Sequence, residues 1–490
     1  MARVSKRSFT FFRLSPVDGN QIRSFAIQRG EITGRIDVTF HQPWIRENLM
    51  RVESANFPTQ SIRETLTEIC YGTGTPPTFY PSSIDTVPFV RATDIKDGQI
   101  QLENLLHISS EQPPKMDKCL LNGGEVIVVR SGANTGDSAF VPFELAGSYA
   151  AYDLILKFKN TVDPKFVAYF LDTVIGRLQL NLVRGRSAQP HVNAEEVSDI
   201  RIVLPDDLNK QIELVAAMDE ARSQRKQKLA EADALLDGSD AEILNILGLN
   251  IPTLSARNIF ATRLSDINQS GRIDVSYHLP FYQTINKVLN SCPYPLPTIG
   301  KLCCKPVGGA TPRKGDQDLY TDSGIKFLRI LNIKTNEIDL TDVKYIKPDV
   351  HEGQLKRSQL SSGDVLMTIT GRVGTAAVVS ENILPANINQ HIVRLTMLND
   401  DCLPEYLAAY LNTTLGLTIS NRSVTGGTRI ALDYGAIQSI PIPLPPKEIQ
   451  EQVIAVVQQR RSEAQRLRSE AETGWQTAKQ WFEEQLLGDS

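Results

Sequence analysis

The amino-acid sequence repeats itself once along its length. GRIDVTFHQP at 34–43 returns as GRIDVSYHLP at 271–280, 237 residues later. PFVRATDIKDGQI at 88–100 returns as KFLRILNIKTNEI at 326–338, and LNGGEVIVVRSG at 121–132 as LSSGDVLMTITG at 360–371. DIRIVLP at 199–205 returns as SIPIPLP at 439–445. The separation drifts from 237 to 240 by single residues, as short loop insertions produce. Solenoid units run roughly 20–50 residues, so a period this long is that of a whole domain. The chain is a duplicated domain, and two similar modules suit a ligand that has two similar halves.

With 490 residues, each half is long enough to bury a full core, and 41% hydrophobic with 22% charged residues is ordinary for globular proteins. The opening MARVSKRSFTFFRL is basic but has no apolar core, so it is not read as a signal peptide. No apolar run reaches the roughly 20 residues that span a bilayer. Six cysteines without a C-x-x-C pair argue against structural zinc and for reduced thiols, with the cytoplasm as the expected location. A net charge of −4 is not the signature of a chain held to nucleic acid by bulk charge. A DNA-binding role would need basic residues gathered on one face, or partners that supply part of the positive field.

Both halves share one layout. VPFVRATDI, EVIVVRSG and YDLILKFK read as short strands, rich in β-branched residues and bounded by Gly, Asn and Asp. A helix is expected over 164–179, with Phe166, Phe170, Val174 and Leu178 at helical spacing, and again over 404–417. A last strand, IRIVLP or IPIPLP, runs into a Pro stop. Then 206–247 and 447–487 become rich in Ala, Gln, Glu, Lys and Arg, without Pro. Ile449, Val453, Val456, Ala464, Leu467, Ala471, Trp475, Ala478 and Phe482 fall mostly three and four apart, with a polar slot near Arg460. Leu208, Ile212, Val215, Met218, Leu229, Ala232 and Leu236 form a weaker stripe. Both approximate a coiled-coil seam, and neither is wide enough to bury a helix on all sides, so each is expected to pair with the other. Spacing alone leaves a structural arm and a partner-docking platform equally open. The fold class is α+β, with expected domains 1–204 and 266–445, long helices at 205–247 and 446–488, and a linker at 248–265.

No catalytic signature is present. The chain lacks a Walker A loop, a G-x-S-x-G elbow, an H-E-x-x-H helix and the [DN]-P-P-[YF] motif of amino-methyltransferases. His41 with Asp37, and His278 with Asp274, recur at equivalent repeat positions. Without further ligands they read as a repeated fold-defining turn rather than a duplicated metal or acid–base site. What recurs instead is a set of polar, Gly-rich loops. GTGTPP at 72–77 is matched with GGATPR at 308–313, RSGANTGDS at 130–138 with TGRVGTA at 370–376, and VRGRSAQPHVN at 183–193 with SVTGGTRIALD at 423–433. Gly brings backbone close to a surface, while Arg, amide and hydroxyl groups suit phosphates and base edges. The candidate DNA-binding residues are Thr73, Thr75, Arg91, Arg130, Ser131, Asn134, Arg184, Arg186, Gln189 and His191 in the first half. In the second they are Thr311, Arg313, Arg329, Arg372, Thr425, Thr428 and Arg429. The third loops share a place but not residues, as expected if the halves read different sequences. For any single loop, ordinary turn chemistry explains the same residues.

Taken together, these features resemble the specificity subunit of type I restriction–modification systems. The resemblance covers nearly the whole chain. It rests on the paired GRIDV segments, the YGTGTPP and GGATP loops, the Gly-Asp/Glu-Val strands before a Gly loop, and IPIPLPPKEIQEQ running into a long helix. LPDDLNKQ in the first half is a looser version without the Glu-Gln pair. The resemblance implies two target-recognition domains, each reading one half of a split asymmetric DNA site. It also implies two helices packed antiparallel as a spacer, and no chemistry in this chain. Two methyltransferase subunits with S-adenosylmethionine, and restriction subunits driven by ATP with Mg, are the implied partners, in host defence. About 30 helical residues span roughly 45 Å, close to 13 base pairs, so such a spacer would set the domains a little over one turn apart. A coiled-coil adaptor joining two proteins without DNA, or the recognition half of a fused enzyme, are the competing readings.

Overall fold

In the computed structural model, residues 9–13, 24–28, 42–75, 77–184, 190–252, 259–312, 319–424 and 431–488 are described, without the side chains of 9–13, 24–28, Pro43, Arg184 and Gln269. The chain divides into two compact units, one of residues 1–228 with 469–490, the other of residues 229–468. Each unit therefore combines one repeat with the start of that repeat's long helix and the tail of the other's.

The first unit is built on an antiparallel sheet of β1 (Leu66–Tyr71), β2 (Val126–Val128), β3 (Ser138–Phe140) and β4 (Leu154–Phe158), in the spatial order β3-β2-β4-β1. Leu154 lies opposite both Val128 and Tyr71. Val126, Val128, Leu154 and Leu156 face one apolar cluster, while Ile127, Val129, Ala139 and Ile155 face another. Burial on both sides explains why these strands read as continuous apolar runs rather than alternating ones. The second unit repeats the plan with β5 (Val307–Gly308), β6 (Val365–Thr368), β7 (Ala376–Val378) and β8 (Ile392–Leu395), in the order β5-β8-β6-β7. Met367 there pairs with Val393.

The helix expected over 164–179 is two helices, α1 (Pro164–Asp172) and α2 (Val174–Arg184), bent by 77° at Thr173. The Thr173 hydroxyl donates to Phe170 O and accepts from Gly176 N at 3.2 Å, which ends one helix and caps the next. A Cβ at Gly176 would overlap the Phe170 carbonyl, so only glycine allows so tight a corner. The second unit uses the same device: Thr413 accepts from Gly416 N between α4 (Pro404–Leu411) and α5 (Thr414–Arg422). The signal, Thr-x-x-Gly in both repeats, is present in the sequence but is masked by the continuous apolar periodicity.

Two long helices, α3 (Leu208–Ile246) and α6 (Lys447–Leu487), follow the domains. Each begins on a fully buried glutamine. Gln211 accepts from Asp163 N at 2.8 Å and donates to Thr161 O and Pro205 O; Gln450 accepts from Leu403 N at 2.8 Å and donates to Asp401 O and Pro445 O. The looser first-half ending thus anchors its helix to its own domain in the same way as the second. The apolar stripe is corrected accordingly: Gln211 and Leu214 face inward, while Ile212 is half exposed. A buried polar residue with all its bonds made is invisible to a hydrophobic pattern.

Within the first unit the tail of α6 lays Trp475 and Phe482 against Tyr169 and Phe166 of α1, with ring centroids 5.2–6.4 Å apart. Glu483 accepts from the Ile175 N–H at the start of α2, where a carboxylate suits a helix N-terminus. In the second unit Asp240 of α3 does the same at Thr414. The helices run antiparallel within each unit. Arg225 and Lys228 meet Glu472 and Glu470 in the first unit, and Asp233 and Glu242 meet Arg468 and Arg460 in the second. A small seam of Ala232, Ala464 and Leu467 lies beside these last pairs. The polar slot holds Arg460, which bonds Glu242 at 2.5 Å and Leu235 O, with room made by Gly238. Among the described residues no single helix is long and apolar enough to cross a membrane.

Candidate nucleic-acid interface

The antiparallel order brings the end of β1, the end of β2 and the start of β4 to one sheet edge. Three loops far apart in sequence meet there. Thr73 forms a parallel bridge with Ala151, Ser131 an antiparallel bridge with His191, and Val192 N donates to Arg130 O at 2.9 Å. A Cβ at Gly72 would overlap the Ala151 carbonyl, so this glycine is what lets the first loop approach. The corresponding corner of the second unit joins Thr370 to Ala431, Ile369 N to His391 O at 3.0 Å, and Gly309 against the Asn389 carbonyl. Strand register equates Gly72 with Gly309 rather than Gly308. This moves the first loop match by one residue, because the contact with the neighbouring carbonyl, not the Thr-Pro text, sets the register.

In the first corner Arg130 is half buried. Its guanidinium lies over the Tyr152 ring at 4.3 Å and the Tyr71 ring at 5.2 Å. The two rings are themselves 5.8 Å apart. The Arg130 backbone N–H donates to Asp153 at 3.0 Å, and burial pushes the Asp153 carboxyl above its usual range while that bond pulls it back. No described residue accepts a hydrogen bond from the guanidinium, and its Nε is buried without a partner. Thr73 and Thr75 bond each other across the first loop, and Ser131 and His191 lie exposed on the same edge. Asn134 turns the second loop by accepting from Asp137 N.

The second corner is furnished differently. The Thr311 hydroxyl donates to Gln390 Oε1, the Gln390 amide faces His391 Nε2 at 3.2 Å, and His391 Nδ1 lies 2.9 Å from the Thr370 hydroxyl. Arg372 is exposed at the turn after β6.

Arg91 and Arg329 hold their own loops together. Arg91 makes two side-chain bonds to the buried Asp94, at 2.7 and 3.0 Å, and its backbone N–H donates to the same carboxylate at 2.9 Å. Arg329 bonds the backbone and carboxylate of Asp342 at 2.6 and 2.9 Å. Arg184 closes α2, but nothing beyond its backbone is described. Arg186, Gln189, Arg313, Thr425, Thr428 and Arg429 lie outside the described residues, as do Asp37 and His41.

The second GRIDVSYH segment has a visible task. Arg272 pairs with Asp274 at 2.7 and 2.8 Å, a bond that holds this carboxyl down at about 2, and donates to Val424 O at 2.8 Å. His278 bonds Arg272 O at 2.6 Å. Arg422, at the end of α5, lies between Tyr277 and Tyr282 at 4.5 and 5.1 Å. The segment therefore grips the end of α5, near where the third loop leaves. Tyr152, Gln390 and His391 belong to none of the polar loop motifs, and the two buried glutamines, though inside LPDDLNKQ and IPIPLPPKEIQEQ, carry no signal of their task there, since the role of each depends on a partner distant in the chain. Among the described residues no group of three or more His, Cys, Asp or Glu is placed to hold a metal ion.

A sequence model of the family described as type I restriction modification DNA specificity domain matches residues 65–231 and 298–466. The specificity subunit of the Escherichia coli type I restriction enzyme EcoBI is 28% identical over 136 residues, 28% of this chain and 28% of that protein. The corresponding EcoEI subunit, also from Escherichia coli, is 27% identical over 124 residues, 24% of this chain and 21% of that protein. The matched stretches therefore span about a quarter of these relatives' lengths. A solved chain from work on complex assembly and conformational transition of the type I R-M system is 17% identical. It aligns over 87% of this chain and 95% of its own length, with a TM-score of 0.49.

Proposed function

The chain belongs to the type I restriction–modification DNA specificity family, and from that premise we propose that it is the sequence-reading subunit of such a complex. Each repeat reads one half of a bipartite double-stranded site. The observation that carries this reading is that both repeats build the same three-loop corner and furnish it with different side chains: Arg130 over two tyrosines in one, a Thr311–Gln390–His391–Thr370 chain in the other. A shared scaffold with changed donors and acceptors suits two half-sites of different sequence.

The long helices serve as the spacer and as the platform for two methyltransferase subunits, with restriction and translocase subunits added to them. S-adenosylmethionine, ATP and Mg would be held by those partners, and this chain would contribute recognition without catalysis, in the cytoplasm. The net charge of −4 agrees with partners that help to clamp the DNA.

The test is the methylated motif in cells expressing the chain with its methyltransferase partners. A bipartite motif with a nonspecific gap is expected, and replacing residues 1–204 with those of a related chain should change one half only. A change in both halves, or in neither, overturns modular readout. If the assembled complex gives no salt-dependent shift of duplex DNA, the chain is instead a protein-joining adaptor.

A further inference from the structure

The residues that enter the last sheet strand belong to none of the repeated motifs. Register equates Leu154 of β4 with Val393 of β8, because these residues pair with Val128 and Met367. Tyr152 then corresponds to His391 and Arg130 to Ile369, while Ala151 corresponds to Asn389 by its backbone bonds, so that Gln390 is one residue inserted in the second turn. The first corner thus carries its polar reader at the end of β2. The second has an aliphatic residue there and carries its polar group one strand over.

We propose that the turn entering this strand sets the base preference of each repeat. Tyr152 positions Arg130 for a guanine edge, and Gln390 presents its own amide to an adenine edge. The proposal rests on the reading of the chain as a DNA specificity subunit and names the chemistry each half would recognise.

Tyr152 is 46% exposed, so its ring can hold the guanidinium at the surface rather than draw it into the core. Cation–π stacking favours a flat guanidinium and leaves its in-plane N–H groups free to bond outward. Guanine places two acceptors, O6 and N7, side by side on its major-groove edge, which matches a pair of guanidinium donors.

The second corner presents a side-chain amide with half of its hydrogen-bonding capacity in use. A carboxamide offers two N–H donors and two lone pairs. Thr311 takes one lone pair of Gln390, and His391 takes one N–H through Nε2. His391 Nδ1 in turn faces the Thr370 hydroxyl; with Nε2 accepting from the amide, the ring proton sits on Nδ1 and is donated to that hydroxyl. One donor and one acceptor remain on an exposed, buttressed amide. Adenine offers the complement, the N7 acceptor beside the N6 donor.

The experiment uses the full chain in its complex with methyltransferase subunits and reads methylation preference from sequenced genomic DNA. Arg130→Ala and Tyr152→Leu are expected to relax the same G·C pair in one half-site, with preference falling roughly ten- to hundred-fold. Tyr152→Phe keeps the ring and should keep the preference. Gln390→Ala should relax an A·T pair in the other half-site only, and His391→Asn should weaken the same pair with the thermal midpoint unchanged. An activity loss uniform across sequences would mark Arg130 as a phosphate contact and overturn the proposal. So would variants of both corners acting on one half-site, or an unchanged motif. If the unsubstituted chain gives no sequence preference, the specificity reading itself fails, and that outcome is distinct from the others.

Discussion

The two corners fill one space from opposite sides. In the first, Tyr71 at the end of β1 reaches across and its hydroxyl accepts from Ala194 N at 3.1 Å, at the start of the short helix Ala194–Ser198. In the second, the strand position is Gly308, and Tyr434 from the equivalent short helix Tyr434–Ser439 reaches back, so that a Cβ at Gly308 would overlap its hydroxyl. The backbone is the same and the tyrosine has changed sides. The polar groups we assign to base reading have moved in the same way, from Arg130 at one strand end to Gln390 at another strand start. Duplication has kept the pairing of strands and loops, while the side chains that occupy the corner are free to come from either partner of a contact. Function at such a site cannot be carried from one repeat to the other by position alone.

The largest effects are expected at the elements that the repeats share. Gln211→Ala and Gln450→Ala each leave a buried N–H and two carbonyls without partners at the start of a long helix. Each should cost about 3 kcal/mol in urea unfolding of the full chain, by similar amounts. A silent variant in one repeat would mean that the two helix starts are not equivalent.

A smaller effect sharpens the contrast where the repeats differ. Leu182 of α2 packs with Ile45 and Leu178, whereas its counterpart Arg422 is caged by Tyr277 and Tyr282. Leu182→Ala should destabilise by about 2–3 kcal/mol regardless of salt. Arg422→Ala should cost about 1 kcal/mol, because cation–π contacts and hydrogen bonds replace apolar burial. Equal losses in thermal melts would mean that the cage is as tightly packed as the apolar contact.

The smallest effect concerns Arg91 and Arg329. Their ion pairs are partly exposed, so Arg91→Ala or Arg329→Ala should cost at most about 1 kcal/mol in stability and leave the methylated motif unchanged. A changed motif would return both residues to direct DNA reading.

Much of the framework is legible in the chain's local patterns. The strands EVIVV and LILKF, the Asp-Gly and Asn turns between short strands, and both long helices follow from periodicity and turn chemistry. The break at Thr173 is written in Thr-x-x-Gly but overlaid by an apolar stripe that continues across it. The apolar pattern misplaces the inward face of α3 because Gln211, a polar residue, occupies a fully buried position near its start. For the site, loop composition points to Arg130, Ser131, Thr73, His191 and Thr311, and all five lie at the two corners. The same rule points to Arg91 and Arg329, yet these are taken up by carboxylates inside their own loops.

The sequence alone determined that this protein is a domain written twice, which segments form strands and which form long helices, and that its polar loops recur in order. Those properties follow from periodicity and near-neighbour chemistry, which travel along the chain. Only the tertiary structure decided which side chains share a corner. Tyr71, Arg130, Tyr152 and His191 are brought together by antiparallel register between strands and loops remote in sequence. Register is a property of pairing across the sheet, and a one-residue change in it exchanges one face for the other.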